Sequence, residues 1–193
     1  MKAEREAWRA EFAAIDPSRL VFLDETGATT AMTRTRGRAP RGRRLRAAVP
    51  HGHWKVVTLT AAVRLGGVGA CLAFDGATDS MAFETYAVEC LAPTLKPGDI
   101  VVMDNLTAHK HGPALAAIRA AGAEVRPLPA YSPDLSPIEK MFFKLKEYLR
   151  SAEARAVGTL IDALGDALRT VTSDDIREWF RFCGYATPKA KPL

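Results

Sequence analysis

Asp24 closes a short apolar run, Leu20-Val21-Phe22-Leu23, and Asp104 closes another, Ile100-Val101-Val102-Met103. Glu139 opens an amphipathic stretch directly after Ser136-Pro137-Ile138. A carboxylate at the end of a buried strand costs free energy unless a cation or hydrogen bonds compensate it. Two strand ends and one helix start could bring the three carboxylates together, as a site for hard divalent cations that take oxygen ligands. Phosphodiester cleavage is a chemistry such a site serves. It needs an activated water and a stabilised leaving oxygen, and two divalent ions about 3.5–4 Å apart supply both. Three carboxylates leave two Mg²⁺ with residual positive charge that draws the phosphate between them. Glu suits the third position because the longer side chain can reach in from a helix.

Each of these residues also has an ordinary structural reading. Glu139 stands three residues after Ser136, with Pro137 between, which is the pattern of a capping box. Asp104 could cap a following turn through Asn105. Glu25 adjoins Asp24, and strand alternation sends neighbours to opposite faces, so one of the pair faces the site. Asn105 reads as a neighbour of the site or as a turn former. His109 could orient a water, contact a phosphate or make a structural hydrogen bond. His51 and His53 lack a nearby carboxylate or Cys to complete a metal site, so they read as packing or DNA-backbone contacts. Gly66-Gly67-Val68-Gly69 is a hairpin signal, because no helix follows it as a nucleotide loop requires.

The net charge of +5 is unevenly spread. From Thr26 to Phe74 there is no Asp or Glu, while nine basic residues fall there, seven of them between Arg34 and Arg46. The rest of the chain is net acidic. Such localisation suits a polyanionic partner, although a solvated basic loop has the same pattern. Arg36, Arg38, Arg41, Arg43, Arg44 and Lys55 are the candidate DNA contacts. Guanidinium groups bind phosphate through paired hydrogen bonds, which position a duplex without reading its sequence.

The elements that must hold these residues follow from periodicity. Lys2 to Ile15 reads as a surface helix with Trp8, Phe12 and Ile15 on one stripe. Leu20 to Leu23 is a strand buried on both faces, and Ala28 to Arg34 reads as a second strand. Arg36 to Pro50 is a loop. Trp54–Val63 and Val68–Phe74 form a hairpin. Asp79 or Ser80 caps a helix whose apolar face is Phe83, Tyr86, Ala87, Cys90 and Leu91. Ile100–Met103 and Val125–Leu128 are strands around a helix that starts near Pro113 and stops at Gly122. Pro129, Pro133 and Pro137 stiffen a loop ahead of a helix with Ile138, Phe142, Leu145 and Leu149 on one face. Two further helices carry the stripes Leu160-Ile161-Leu164-Leu168 and Ile176-Trp179-Phe180. The order implies one α/β domain, a mixed sheet flanked by helices.

Composition, with 48% apolar and 25% charged residues, is that of a globular chain. No apolar run approaches the ~20 residues that span a bilayer, and the charged start lacks the apolar core of an export signal. Cys71, Cys90 and Cys183 have neither disulfide nor zinc spacing, which suits a reducing cytoplasm.

Several motifs then occur in a fixed order: Leu-Asp-Glu-Thr at Leu23–Thr26, His51-Gly52-His53-Trp54-Lys55, Met103-Asp104-Asn105 with His109, and Tyr131-Ser132-Pro133-Asp134-Leu135-Ser136-Pro137-Ile138-Glu139. Between Asp104 and Glu139 lie 34 residues. In these motifs and this interval the chain resembles the catalytic domain of DDE transposases of bacterial insertion sequences, in the mariner superfamily, from about Leu20 to Tyr185. The resemblance implies a helical extension over 1–19, an RNase H-like catalytic domain with a mixed five-stranded sheet over 20–185, and a tail over 186–193. It implies a triad of Asp24, Asp104 and Glu139 holding two Mg²⁺, for which Mn²⁺ can substitute. Water would attack at a transposon end, and the freed 3′-hydroxyl would then attack target DNA. Terminal inverted repeats, target DNA and a dimer on DNA are the implied partners, in a nucleoid-associated bacterial protein with no membrane contact. Ser136 stands where the family commonly has Asn and should still cap a helix; Gly27 replaces a bulkier residue. Some 19 residues precede the first strand, too few for the helix-turn-helix modules of longer relatives. That module would be lost, separately encoded or joined by frameshifting. An accessory DNA-binding protein with an idle catalytic domain and a stand-alone nuclease on this fold are the competing functions.

Overall fold

The computed structural model describes residues 2–76, 79–104 and 112–185. Five strands form one sheet in the order β3-β2-β1-β4-β5: β1 (Leu20–Thr29), β2 (Val56–Arg64), β3 (Gly67–Asp75), β4 (Ile100–Met103) and β5 (Glu124–Pro127). β1, β2 and β3 form an antiparallel meander, and β4 and β5 run parallel to β1. Helices cover both faces: α1 (Lys2–Phe12), α2 (Ser80–Thr85), α3 (Gly112–Ala120), α4 (Pro137–Ala152), α5 (Val157–Arg169) and α6 (Ser173–Phe182). Asp79 caps α2, its carboxylate accepting from Ala82 N at 2.8 Å, and the helix continues through a π-helical stretch, Tyr86–Leu91. No described helix is long and apolar enough to cross a membrane.

Two cores follow from the two-residue period of β1 and β4. Leu20, Phe22, Ala28, Ile100 and Val102 face one side, against α1, α4, α5 and α6. Val21, Leu23, Val101 and Met103 face the other, against Phe83, Tyr86, Leu91 and Ile118. Leu20 to Leu23 are all buried, as expected for the centre of a two-faced sheet.

The expected second strand over Ala28–Arg34 is absent. Ala28 and Thr29 extend β1 instead, pairing with Val57 and Val56, and the chain leaves the sheet after Thr29. β2 begins at Val56, so Trp54 and Lys55 lie outside it. Ile161 is also not on the buried stripe of α5. Burial falls on Leu160, Ala163, Leu164 and Ala167, and Ile161 lies outside that stripe and stays exposed. The three cysteines are free.

The first and last helices meet at the core. Trp8 stacks on Phe12 with ring centroids 3.7 Å apart, and Tyr185 packs against both Phe12 and Phe22. Trp8 Nε1 donates to the Tyr185 hydroxyl at 3.2 Å, which in turn donates to the Leu135 carbonyl at 2.6 Å. Burial of this phenol pushes its pKa well above the ordinary range. The chain ahead of α4 is thereby fastened to both α1 and the end of α6.

Candidate active site

β1 and β4 pair in register from Leu20 with Ile100 to Phe22 with Val102. Asp24 and Asp104 each stand two residues beyond the last of these pairs. Both therefore take the parity of Phe22 and Val102, on the sheet face that α4 covers. Glu25 takes the opposite parity and bears electrostatically on Tyr86 across the other face. Glu139 lies in the first turn of α4. Asp24, Asp104 and Glu139 line one cavity of about 490 Å³, with Leu128, Pro129, Ala130, Tyr131, Ser132, Pro133 and Ser136.

The capping-box reading of Glu139 fails, and with it the expectation that the Ser136 side chain caps α4. Ser136 occupies the cap position, but its hydroxyl makes no capping bond. Its carbonyl accepts from Glu139 N at 3.3 Å. Ser136 is buried and lines the cavity wall. The Glu139 carboxylate is thus not engaged as a cap.

Asp24 carries the electrostatic signature of the cavity. Burial pushes its pKa up to about 7, and the charges of Glu139, Glu25 and Asp104 push in the same direction. A single hydrogen bond, from Glu25 N at 2.8 Å, opposes them. The three carboxylates line one half-enclosed space, and the charges of Glu139 and Asp104 both disfavour ionisation of Asp24. Among the described residues no three acidic, His or Cys side chains stand close enough together to hold an ion. The donor set itself fits hard divalent cations: it is all carboxylate, it is anionic, and among the described residues no positive charge offsets the burial of Asp24.

Asn105 and His109 lie outside the described residues. Every residue from Arg34 to Lys55 is exposed, the six candidate DNA contacts included. Arg34 and Arg36 line a separate cavity of about 500 Å³ with Phe143, Glu147 and Arg150. These α4 residues follow Glu139 at helical spacing, so one stripe of α4 leads from the carboxylates to the arginines. It covers about 16 Å at 1.5 Å per residue. His51 and His53 line a small cavity of about 130 Å³ with Trp54 and Arg155.

Sequence reasoning missed the hold on the loop that carries Tyr131 and leads into α4. Arg5 on α1 forms a two-pronged ion pair with Asp134, at 2.9 and 2.6 Å, and donates to Ser132 Oγ at 2.9 Å and the Tyr131 carbonyl at 3.4 Å. Arg9 reaches the same carboxylate at 3.2 Å. Asp134 is held below the usual carboxylate range, chiefly by the hydrogen bonds from Arg5. The one signal in the sequence is the four-residue spacing of Arg5 and Arg9 on a helix face, and it does not name a partner.

Asp24 does not close its strand, as the apolar run suggested, but sits midway along β1, while Asp104 follows the last residue of β4. A meander followed by two parallel strands, with carboxylates on β1, after β4 and on the covering helix, defines an RNase H-like domain. The chain belongs to the DDE superfamily endonucleases, whose family profile matches residues 19–161. Among solved structures, the Mos1 transposase paired-end complex with left transposon end matches at 18% identity and a TM-score of 0.76, over 95% of this chain and 57% of that one. The mariner Mos1 paired-end complex with Mg matches at 18% identity and a TM-score of 0.74, over 95% and 58%. The Mos1 transposase catalytic domain with Raltegravir and Mg matches at 15% identity and 0.69, over 95% and 87%. This chain thus spans about 57% of the length of the transposase in the first complex. Comparison with curated protein sequences gives no significant match.

Proposed function

We propose that this domain cleaves phosphodiester bonds at transposon DNA ends and joins the freed ends to target DNA, with Asp24, Asp104 and Glu139 as the metal-binding triad. The observation that carries the reading is the shared cavity of the three carboxylates, in which Asp24 is held near neutral pKa by burial and by its acidic neighbours. Two Mg²⁺, or Mn²⁺ in their place, would supply Lewis acidity and the charge to bind the phosphate. The protein's own contribution is placement. β1 and β4 fix two carboxylates on one sheet face, and α4 brings the third to them. The loop 128–136 walls the cavity on one side.

The basic segment from Arg34 to Arg46 would track the DNA backbone away from the cleaved bond, along the α4 stripe through Phe143 and Arg150. Binding by such contacts weakens steeply with salt. The likeness to Mos1 paired-end complexes supports transposon-end DNA as the partner in this reading.

The test is nicking of DNA by the purified chain with Mg²⁺ or Mn²⁺, with Asp104→Asn as control, followed by joining of an end-bearing oligonucleotide to a target. Metal-dependent nicking and joining, both lost in the variant, is the expected result. Nicking without joining would leave a stand-alone nuclease. Binding without either reaction under both metals would overturn the enzymatic reading in favour of an accessory DNA-binding protein.

A further inference from the structure

Tyr131 is set apart by two independent properties at the mouth of the carboxylate cavity. Its backbone is left-handed, with φ 54. Glu153 is the other non-glycine residue in that region among those described, and its turn ends α4. A β-carbon makes this conformation costly, and Tyr lacks the short polar side chain that lets Asn or Asp offset it. Tyr131 is also 88% exposed, more than any other large hydrophobic residue described. A strained backbone that presents an aromatic ring to solvent beside the triad would relax unless the surroundings held it.

The surroundings do hold it. Arg5 grips the Tyr131 carbonyl, Ser132 Oγ and both oxygens of Asp134, and Ser132 Oγ donates to the Ala130 carbonyl at 3.2 Å. One residue on, the Leu135 carbonyl is fixed by the buried Tyr185 hydroxyl. These bonds span the loop on both sides of Tyr131 and leave the ring itself without a packing role.

We propose that Tyr131 is a substrate-positioning residue whose ring stacks on the base of the nucleotide beside the cleaved phosphodiester, and that Arg5 holds the loop in the shape that presents it. The proposal rests on the reading of DNA as the substrate. Aromatic rings stack on any base, so the contact places the strand without selecting its sequence. The position follows from the cavity, since Tyr131 lines the same space as Asp24, Asp104 and Glu139.

The test uses the full chain and a duplex with a frayed end carrying 2-aminopurine, whose fluorescence stacking quenches. Ca²⁺ replaces Mg²⁺ so that binding is read without cleavage. Wild type and Tyr131→Phe should quench equally. Tyr131→Ala and Tyr131→Gly should not, and should bind about tenfold more weakly. The glycine variant suits the left-handed backbone and should melt no lower than wild type, which separates loss of the ring from loss of fold. With Mg²⁺, the same variants should raise KM more than they lower kcat. Arg5→Ala should weaken quenching, and Arg5→Lys should restore part of it. Quenching and KM unchanged in Tyr131→Gly would overturn this proposal alone. Impairment of Tyr131→Phe equal to that of Tyr131→Gly would also overturn it, by moving the effect to the hydroxyl. A wild type that binds no DNA would overturn the functional reading and this proposal together.

Discussion

The loop 128–136 and the segment 31–55 both connect regular elements near the site, and they are built in opposite ways. The first is short, contains Pro129 and Pro133, and is tied down by Arg5, Arg9 and the Tyr185 hydroxyl. The Met103 carbonyl also accepts from Leu128 N at 2.8 Å, which continues the β4–β5 ladder into it. The second has its bonds at its two ends. Thr30 N donates to the Lys55 carbonyl at 3.1 Å, and Arg155 donates to the Met32 carbonyl at 2.6 Å. Between Arg34 and Trp54 the described bond is Arg43 N to the Pro40 carbonyl at 2.9 Å, and no residue there is buried. One loop is shaped before substrate arrives; the other offers charge whose arrangement is left to the partner. The difference suits the two tasks proposed for them, since chemistry needs fixed geometry and backbone tracking needs mainly positive charge.

The contrast can be broken or sharpened by substitution. The largest effect belongs to the fixed region. Asp24→Asn or Asp104→Asn should lower metal-dependent cleavage on the order of a thousandfold, since each removes a ligand of ions that contribute several kcal/mol, while circular dichroism shows an intact fold. Cleavage within a few-fold of wild type would remove these residues from the triad. The open segment should behave differently. Replacing Arg38, Arg41, Arg43 and Arg44 together by Ala should leave the melting temperature unchanged. It should weaken DNA binding and reduce the salt slope by roughly 0.9 for each phosphate that is no longer neutralised. An unchanged slope would mean that the segment does not touch DNA.

Those two regions also mark what was legible in sequence and what was not. The apolar runs ending in Asp24 and Asp104, and the stripe Ile138, Phe142, Leu145 and Leu149, announced the central strands and the covering helix because burial imposes a period. Strand parity required that only one of Asp24 and Glu25 face the site, and the family resemblance, not parity, pointed to Asp24. The strand expected at Ala28–Arg34 failed because β1 runs on to Thr29 before the chain leaves the sheet, and no turn residue marks that point. Ser136 matched a capping pattern, yet its hydroxyl makes no capping bond and the residue is buried in the cavity wall. The grip of Arg5 on Asp134 and the Trp8–Tyr185–Leu135 chain join residues 129, 177 and 50 positions apart. Such pairings leave no local pattern.

A smaller effect tests the cavity's charge. With its pKa pushed up from 3.8 to about 7, Asp24 binds a proton more tightly in the folded chain than in the unfolded one. Metal-free protein should therefore lose stability as pH rises from about 4 to about 7. In EDTA at pH 8, Asp24→Asn should be more stable than wild type by on the order of 1–3 kcal/mol, read from urea melts. Equal stability at pH 8 would show that the carboxylate is better compensated than its neighbours imply. A stability effect of similar size returns to the fixed loop. Tyr185→Phe should cost about 1–3 kcal/mol, because it leaves the Leu135 carbonyl unpaired, and should slow cleavage as the loop loosens. A variant less stable but fully active would separate the anchor from the geometry of the site.

Anomalous diffraction from crystals soaked in Mn²⁺ addresses the central claim most directly. Peaks are expected within coordination distance of the Asp24, Asp104 and Glu139 carboxylates, with these side chains drawn toward the ions. An ordered cavity with no peak between them, or with peaks bound only by other residues, would contradict the triad.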